Sequence, residues 1–465
     1  MIRTGKNSTT QKVPLYLVAR RKLRSLLDGP RRINANLVVP NLTGQQLSRL
    51  ANRNLIPPFA TATTLSAAQD WDKLSNYVLA HEHPLIKPIA NYLKSAEPAF
   101  DAKTTTNEKI ERTLRETEAL EKLSMRELLS ASSFFTQFGF FKASAAFRYA
   151  AIAHALAKHR PDTFETRAAQ VELAGSDWDA LDDLQRLYHL PHDTVLHQHK
   201  KATSEAGFDI LAALKKNSAI AVNKQKESLA PNVYKVLLSL RKRRPDLAGC
   251  DVALIGPSVR ESEAISDDWP DKVLRIGYRG ADSVSSDFKL STHISFYKDH
   301  KLSDLDEKDI AGLANELSHL VISNLKADTL EKTRGFDNVY YSHFTGRILF
   351  DAECNAGVEA LLCALDGGAR KVHIKNLDLF VNSLYPQGYK HNYEKRELSG
   401  GWRLGDEIIC RSMSQWHAPI AQYNIFKNFW NASRITGDNL FTQLMDAGVL
   451  AYLDRLESTY CPFKQ

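Results

Sequence analysis

Residues 252–258 read Val252-Ala-Leu-Ile-Gly-Pro-Ser258, four apolar residues that run directly into a Gly-Pro-Ser turn. A short apolar run that ends in such a turn is typical of a buried parallel β-strand. In open α/β sheets, ligands bind outside the carboxyl ends of the strands. A glycine there permits close approach of a phosphate, and Ser258 offers a hydroxyl. The stretch therefore predicts an α/β domain with a candidate ligand edge, although many ordinary strands end in the same way.

Further strand-like runs follow this stretch, and helical segments separate several of them. The predicted strands are Val252–Ile255, Val273–Ile276, His293–Tyr297, His319–Ser323, Val339–Ser342 and Val372–Ile374, and the clearest helices between them are Lys308–Leu317 and Ala356–Leu365. Strands that alternate with helices predict a parallel sheet with helices on both faces. We therefore expect a Rossmann-like α/β domain in the C-terminal half.

The N-terminal half shows helical spacing of its apolar residues. The predicted helices and helix pairs lie at 70–93, 107–129, 125–161, 164–174 and 178–188. The pair that turns at Gly139 resembles a tetratricopeptide-like unit, and 164–174 with 178–188 is expected to form a second pair. We predict a mixed, mainly helical region at 1–110, a helical-pair domain at 111–245 and the Rossmann-like domain at 246–465.

The composition fits a soluble globular protein of 465 residues, 43% hydrophobic and 25% charged, with a net charge of +7. About 150 residues per domain suggest two or three domains. Residues 1–14 are polar, and no stretch approaches the roughly 18 apolar residues that span a bilayer. The five cysteines include no Cys-x-x-Cys pair, which argues against a zinc site or a disulfide framework and favours a reducing cytoplasm.

Basic residues concentrate in three short runs, at 20–24, 31–32 and 241–244. Such runs most often form solvated faces or linkers. The alternative is contact with anionic lipid headgroups or a phosphorylated acceptor, which would make any membrane association peripheral. The mild net charge does not require nucleic acid as a partner.

A second informative segment begins at Cys354 and ends at Phe380. A small-residue turn opens a helix at Ala356, a glycine pair ends it, and a strand follows that stops at Asp378. Amides at the start of this helix would face an anion, and Asp378 would lie at the carboxyl end of its strand. The alternative is an ordinary helix–strand connection of an α/β domain, in which the aspartate serves only as a cap.

The order of these motifs resembles the bacterial sialyltransferases that use CMP-sialic acid, and the related bacterial β-Kdo transferases that use CMP-Kdo. The resemblance covers roughly residues 249–460 and rests on motif order. The motifs are the strand with Gly-Pro-Ser at 252–258, Val-Leu-Arg at 273–275, Phe-Tyr at 296–297, Ile-Ser-Asn at 322–324, Ala-Gly-Val at 356–358, Asn-Leu-Asp-Leu-Phe at 376–380, and tyrosines at 385 and 389.

The resemblance implies a pocket for the cytidine nucleotide and its phosphate. The residues that it assigns to this pocket are Gly256, Pro257, Ser258, Arg275, Ser323, Asn324, Ala356 and Gly357, with Tyr385 and Tyr389 at the phosphate. Three asparagines of the family pattern are replaced here, by Ile255, by Ile276-Gly277 and by Lys298. These departures favour a relative such as Kdo over sialic acid as the donor sugar.

The catalytic candidates are Asp378, His417 and His391. A histidine suits base or phosphate-binding chemistry near neutral pH. His417, which precedes a proline and an aromatic helix, resembles the family's phosphate-binding or basic histidine and is favoured over His391. The alternative for each is an ordinary surface histidine. Asp378 would serve as the base of an inverting reaction or the nucleophile of a retaining one, with Asp351 and Glu353 in reserve. Asp304-Leu-Asp306 matches a metal motif but looks like a helix start, so we expect no metal or other cofactor.

We thus expect a cytoplasmic bacterial glycosyltransferase that moves an acidic 2-keto sugar from its CMP donor to a surface polysaccharide or glycolipid. Any membrane association is expected to be peripheral, at the inner membrane. Other polysaccharide assembly enzymes are expected partners. One alternative is a non-catalytic helical-repeat scaffold of an assembly complex. Another is a UDP- or GDP-sugar transferase with two facing α/β domains, which the helical N-terminal half disfavours.

Overall fold

The computed structural model describes most of residues 42–464. Outside the described residues lie 1–41, 55, 69, 96–98, 118, 159, 161–162, 177, 189, 191–194, 201–207, 226–230, 241–242, 258–269, 279–291, 303–304, 324–326, 334, 345, 382–396, 399–401, 404–412, 414–415, 461–462 and 465. The predicted basic runs at 20–24 and 31–32 therefore lie outside the described residues.

The described N-terminal half consists of helices, which confirms the predicted all-helical region. Their bounds are α1 Gly44–Asn52, α2 Pro58–Ala67, α3 Trp71–Leu79, α4 Lys87–Lys94, α5 Ala99–Thr117, α6 Ala119–Lys122, α7 Met125–Gln137, α8 Phe141–Lys158, α9 Phe164–Ala174, α10 Trp178–Tyr188, α11 Ile210–Gln225 and α12 Pro231–Leu240. Polar capping residues determine where several of these helices begin. Ser124 and Glu127 form a capping box at α7, which satisfies amides that the first turn leaves without partners.

The C-terminal half alternates strands with helices. Its elements are β1 Asp251–Ile255, β2 Lys272–Ile276, β3 Ile294–Lys298, α13 Asp299–Leu302, α14 Glu307–Glu316, β4 His319–Ser323, α15 Ala327–Thr333, β5 Val339–Tyr341, α16 Ala356–Asp366, β6 Lys371–Lys375, β7 Glu397–Leu398, β8 Trp402–Arg403, α17 Pro419–Asn431, β9 Ile435–Gly437, α18 Asn439–Thr459 and β10 Phe463–Lys464. The predicted strands match the observed ones to within one residue at each end.

Seven strands form one parallel sheet in the order β5-β4-β3-β2-β1-β6-β9. The chain moves outward from β1 to β5 and then returns to the other side of β1 with β6. In register, Ala253 of β1 lies between Val273 of β2 and His373 of β6. This reversal makes the carboxyl ends of β1 and β6 the topological switch point, where α/β sheets place ligands. We call it the switch-point edge, formed by residues 256–257 and 376–381.

Both faces of the sheet are buried, as predicted for a parallel sheet. Alternate residues of β4 enter different apolar clusters, because successive side chains of a strand point to opposite faces. Val321 joins the main core, whereas Leu320 and Ile322 join a second cluster that includes Ile310 of α14. The main core also includes Val358 of α16, so helices cover both faces.

Four features differ from the sequence predictions. The helix expected over 70–93 is two helices, α3 and α4, because a turn through Pro84 interrupts it. The helix expected over 107–129 is divided among α5, α6 and α7. The second predicted pair is not a mutual pair, since α9 packs on α11 and α17 whereas α10 packs on α5 and α8. Strand β9 was not predicted, because its three residues carry too short a pattern.

The two halves share one continuous apolar core, with Phe147 of α8 and Leu456 of α18 both in it. A buried ion pair joins them at what we call the interdomain joint, formed by Arg148, Glu172 and Phe350. Arg148 Nε and Nη2 donate to the two carboxylate oxygens of Glu172, each at 2.7 Å. Arg148 also donates to the carbonyl of Phe350, whose amide donates to Glu172 Oε1 at 3.0 Å. The joint therefore fixes the segment that precedes α16.

Candidate functional site

Gly256 brings the ends of β1 and β6 into close contact. Its amide donates to the carbonyl of Lys375 at 2.8 Å. A Cβ at this position would overlap the carbonyl oxygen of Asn376 and lie 3.0 Å from Leu377 Cα. The glycine is therefore required by the approach of two chain segments, independently of any ligand.

The start of α16 lies against the same edge. Asn355 caps the helix, since its side chain accepts from the Val358 amide at 2.8 Å. Its carbonyl accepts from Glu359 at 3.0 Å, so the amides of Ala356 and Gly357 remain as helix-start donors without an intrahelical acceptor. A Cβ at Gly357 would lie 2.8 Å from Leu377 Cδ1. Gly256 and Gly357 belong to two predicted motifs that are about 100 positions apart in sequence. Both glycines thus pack against the segment 376–377.

The loop after β6 is strained. Asn376, Leu379 and Phe380 have φ values of 55°, 48° and 72°, a region that bulky L-residues rarely adopt. Asp378, 9% exposed, stabilises the turn by accepting from the Phe380 amide at 3.1 Å. Such strain persists only where the surroundings impose it, and it clusters at functional sites.

Helix α18 and its two flanking cap residues, Asp438 and Tyr460, hold the loop in this conformation. Tyr452 Oη donates to the carbonyl of Leu379 at 2.9 Å, and Tyr460 Oη donates to that of Phe380 at 2.6 Å. Asp438, the cap of α18, accepts from the Asn376 amide at 2.8 Å and from the Phe441 amide at 2.9 Å. Asp438 was not predicted as a site residue, because it follows a strand too short to recognise.

A buried ion pair between β3 and α16 is the main polar feature that the sequence analysis missed. Lys298 donates to the carboxylate of Glu359 and to the carbonyl of Cys354, the latter at 3.1 Å. Burial raises the pKa of Glu359, and the ammonium of Lys298 opposes that rise. Lys298 occupies a position where the family pattern has an asparagine. A lone glutamate within the apolar helix at 356–366 was the available signal for a buried partner.

His417 lies at the start of α17, beside the segment that leads into α16. Its Nδ1 is 3.2 Å from the carbonyl oxygen of Glu353. A carbonyl only accepts, so Nδ1 carries the proton in this hydrogen bond and Nε2 is the basic nitrogen of the neutral ring. Gln422 secures the same segment, with Nε2 donating to the Glu353 carbonyl at 3.0 Å and Oε1 accepting from the Asn355 amide at 2.9 Å. The fold thus holds His417 next to the α16 start.

Two of the predicted pocket residues, Arg275 and Ser323, are buried. Arg275 Nε donates to Thr292 Oγ1 at 2.6 Å, and Thr292 precedes β3, so this contact directs the side chain toward the amino end of the neighbouring strand. Ser323 is buried at the end of β4, near the carboxylate of Glu359. The remaining predicted site residues Ser258, Asn324, Tyr385, Tyr389 and His391 lie outside the described residues.

The acidic reserve candidates have other tasks. Asp351 is exposed and pairs with Arg347 at 3.2 Å, while Glu353 contributes its backbone to the α17 contact. Asp306 caps α14 by accepting from the Asp309 amide at 2.7 Å, as its helix-start pattern predicted. Among the described residues, no group of three or more histidines, cysteines or carboxylates is placed to hold a metal ion.

The described part of the third basic run contacts the chain itself. Arg243 lies over the ring of Tyr340, 5.5 Å from its centroid, and Arg244 is 3.5 Å from Asp366. None of the described helices has the length and apolar character that crossing a bilayer requires. Peripheral contact with lipid headgroups stays a prediction.

Comparison of the chain with protein-family models, with curated proteins and with solved structures finds no match. The resemblance to CMP-sugar transferases therefore rests on the order of the sequence motifs.

Proposed function

We propose that the switch-point edge binds the CMP part of an activated acidic sugar and that the chain is a glycosyltransferase. The donor sugar would be a 2-keto acid of the Kdo or sialic acid type, and the acceptor a surface glycan or glycolipid. One observation carries the proposal. Gly256, the start of α16 and the strained loop at 376–380 converge at the switch point of a parallel sheet, where nucleotides bind in this fold class.

The residues at this edge suit transfer from a CMP donor. The acceptor hydroxyl would lose its proton to a base and attack the anomeric carbon, while the bond from that carbon to the phosphate oxygen breaks and CMP leaves with the electron pair. The helix-start amides of Ala356 and Gly357 would stabilise the phosphate. His417, once its Nε2 has taken up a proton, would donate that proton to the leaving phosphate or bind the phosphate as a cation.

Asp378 is the proposed carboxylate of the reaction. An inverting enzyme would use it as the base, and a retaining enzyme would use it as the nucleophile that forms a covalent intermediate. NMR of the product's anomeric configuration separates these two mechanisms.

The test is binding and turnover with defined donors. The protein is incubated with CMP-Kdo and with CMP-sialic acid, CMP release is measured, and calorimetry compares CMP with UMP and GMP. We expect binding of CMP in preference to the other nucleotides. Asp378→Asn should keep the hydrogen bond to the Phe380 amide yet reduce CMP release by about 10²–10⁴-fold. Asp446→Asn, a change on the exposed surface of α18, is the matched control.

The scaffold alternative has one observation in its favour, since chain packing alone accounts for both Gly256 and Gly357. Absence of binding to any cytidine nucleotide would refute the transferase proposal and favour the scaffold. Preferential binding of UMP or GMP would favour the third possibility. Two facing α/β domains are not seen in the described residues, where helices alone precede β1.

A further inference from the structure

A large cleft separates the helical half from the segment that precedes α16. Its volume is about 880 Å³, and its walls include Thr63 of α2, Ser133 of α7 and Phe164 of α9 on one side and Phe350 on the other. Sites for small ligands commonly have volumes of roughly 300–1,000 Å³ and combine apolar walls with a few polar groups. The cleft is distinct from the switch-point edge, and the proposed donor site does not use it.

Trp416 is the most informative residue in this cleft. Its side chain is 42% exposed. Leu238 is the other large apolar side chain on the surface of the described residues. The Arg347 guanidinium lies over one face of the indole ring, 5.8 Å from its centroid, and pairs with Asp351 at 3.2 Å, which leaves the other face for a ligand. An exposed indole in the wall of a cleft, beside polar groups, offers a flat apolar face to a ligand.

The charges of the cleft favour an uncharged, hydroxyl-rich ligand. The positive charges of Arg126 and Arg347 are balanced by the negative charges of two carboxylates, Glu165 and Asp351. The lining therefore has no net charge that would attract a polyanion. Its hydroxyl groups come from Thr63, Ser130 and Ser133. Sugars combine hydroxyls with C–H faces that meet the electron-rich face of an aromatic ring, and this lining offers partners for both.

We infer that this cleft binds a glycan of neutral pyranose units, with Trp416 as the stacking platform. The cleft lies beside the candidate active site, because Trp416, whose carbonyl accepts from the Glu353 amide at 2.7 Å, directly precedes His417. The interdomain joint holds Phe350 in the cleft wall, so the surface is preorganised. The role of this glycan as the transferase acceptor rests on the proposed function, whereas glycan binding itself does not.

The test uses the full chain without donor. An array of bacterial surface-polysaccharide fragments, neutral and acidic, is probed with the wild type, and the strongest binder is titrated by calorimetry. We expect a neutral glycan to bind. Trp416→Ala should weaken binding by about tenfold or more, whereas Trp416→Phe should keep most of it. Leu238→Ala, at the other exposed apolar side chain, should bind as the wild type does, and circular dichroism checks that each variant folds.

Each outcome decides the inference. Absence of any neutral glycan ligand, preference for acidic fragments, or unchanged binding by Trp416→Ala would overturn it. CMP binding is measured on the same samples. Binding of glycan without binding of CMP would support the glycan site and refute the transferase proposal. Binding of CMP without binding of glycan would refute the glycan site alone.

Discussion

The interdomain joint and the region beside the switch-point edge each include a buried ion pair, but the charges of the two pairs are satisfied differently. At the joint, the planar guanidinium of Arg148 meets both oxygens of Glu172, and the backbone of Phe350 supplies a further donor and acceptor. Near the edge, the single ammonium of Lys298 is shared between Glu359 and a carbonyl, and burial raises the pKa of the glutamate. The fork geometry of arginine makes the first pair the more completely satisfied.

The interdomain joint is therefore a stabilising contact, whereas the backbone at the switch-point edge is held in a conformation that its residues do not favour. The edge also includes Leu379 and Phe380 at positive φ, whose carbonyls accept hydrogen bonds from the hydroxyls of Tyr452 in α18 and of its C-cap Tyr460. Strained backbone and a carboxyl with a shifted pKa cluster at functional sites more often than elsewhere. We therefore expect substitutions at the joint to affect mainly stability, and those at the edge to affect stability less and ligand binding more.

The largest loss of stability is expected for Glu172→Ala. The variant leaves Arg148 charged and buried, and arginine cannot lose its proton to escape the cost. We expect the free energy of unfolding to fall by about 3–5 kcal/mol in urea denaturation. The control is Asp183→Ala in the exposed pair with Arg186, which should change it by less than about 1 kcal/mol. Similar small losses in both variants would contradict the comparison.

Lys298→Met should cost less, about 2–4 kcal/mol at pH 7, because the orphaned Glu359 can take up a proton. The folded-state pKa of Glu359, already raised above its ordinary value of 4.5, would rise further. A folded state that binds the extra proton loses stability as pH rises from the unfolded pKa toward the folded one. The deficit relative to wild type should therefore grow from pH 5 to pH 7, by up to about 1.4 kcal/mol per pH unit.

The control for this pH dependence is the double variant Lys298→Met with Glu359→Leu, which removes both charges. Its stability should follow the pH dependence of the remaining protein, without the added slope. A deficit in Lys298→Met that stays constant with pH would show that Glu359 does not titrate there.

A pair of glycine substitutions tests the packing of the edge. Gly256→Ala places a Cβ against the backbone of Asn376, and we expect a loss of about 1–3 kcal/mol together with weaker CMP binding. Gly312→Ala lies inside α14 with no atom within 4 Å of the added Cβ. It should stabilise the protein by about 0.5–1 kcal/mol, because alanine favours the helix. Equal effects of the two changes, measured by thermal and urea unfolding, would contradict this account.

The fold was predictable because its signals are local. The strand 319–323 was predicted to the residue, since a short apolar run, here Leu320–Ile322 between polar residues, has few other interpretations. The turn through Pro84 and the three residues of β9 were misjudged or missed, because tertiary packing, not local pattern, defines them. The strand order that creates the switch point follows from the return of β6 beside β1, which periodicity does not encode.

The site was only partly predictable, since its residues meet through packing between elements that are distant in sequence. Gly256 and Gly357 were selected as nucleotide contacts, yet the carbonyl of Asn376 and the side chain of Leu377 occupy the space beside them. Lys298 and Glu359 are 61 positions apart, and neither has a local motif that marks it as half of a pair. Arg275 lies in the predicted strand, but its contact with Thr292 depends on the register between β2 and β3.

The smallest loss of stability is expected for His417→Gln, and it separates stability from function most clearly. The histidine makes a 3.2 Å hydrogen bond to the Glu353 carbonyl, which Gln422 also serves at 3.0 Å. The acceptor therefore keeps a donor, and the free energy of unfolding should fall by less than about 1 kcal/mol. Loss of the basic Nε2 should lower CMP release from CMP-Kdo by about 10²–10⁴-fold, with CMP affinity changed much less. Gln422→Ala, which removes the second contact, should instead lower stability more than His417→Gln does. Full turnover by His417→Gln would exclude this histidine from the reaction and would leave its role purely structural.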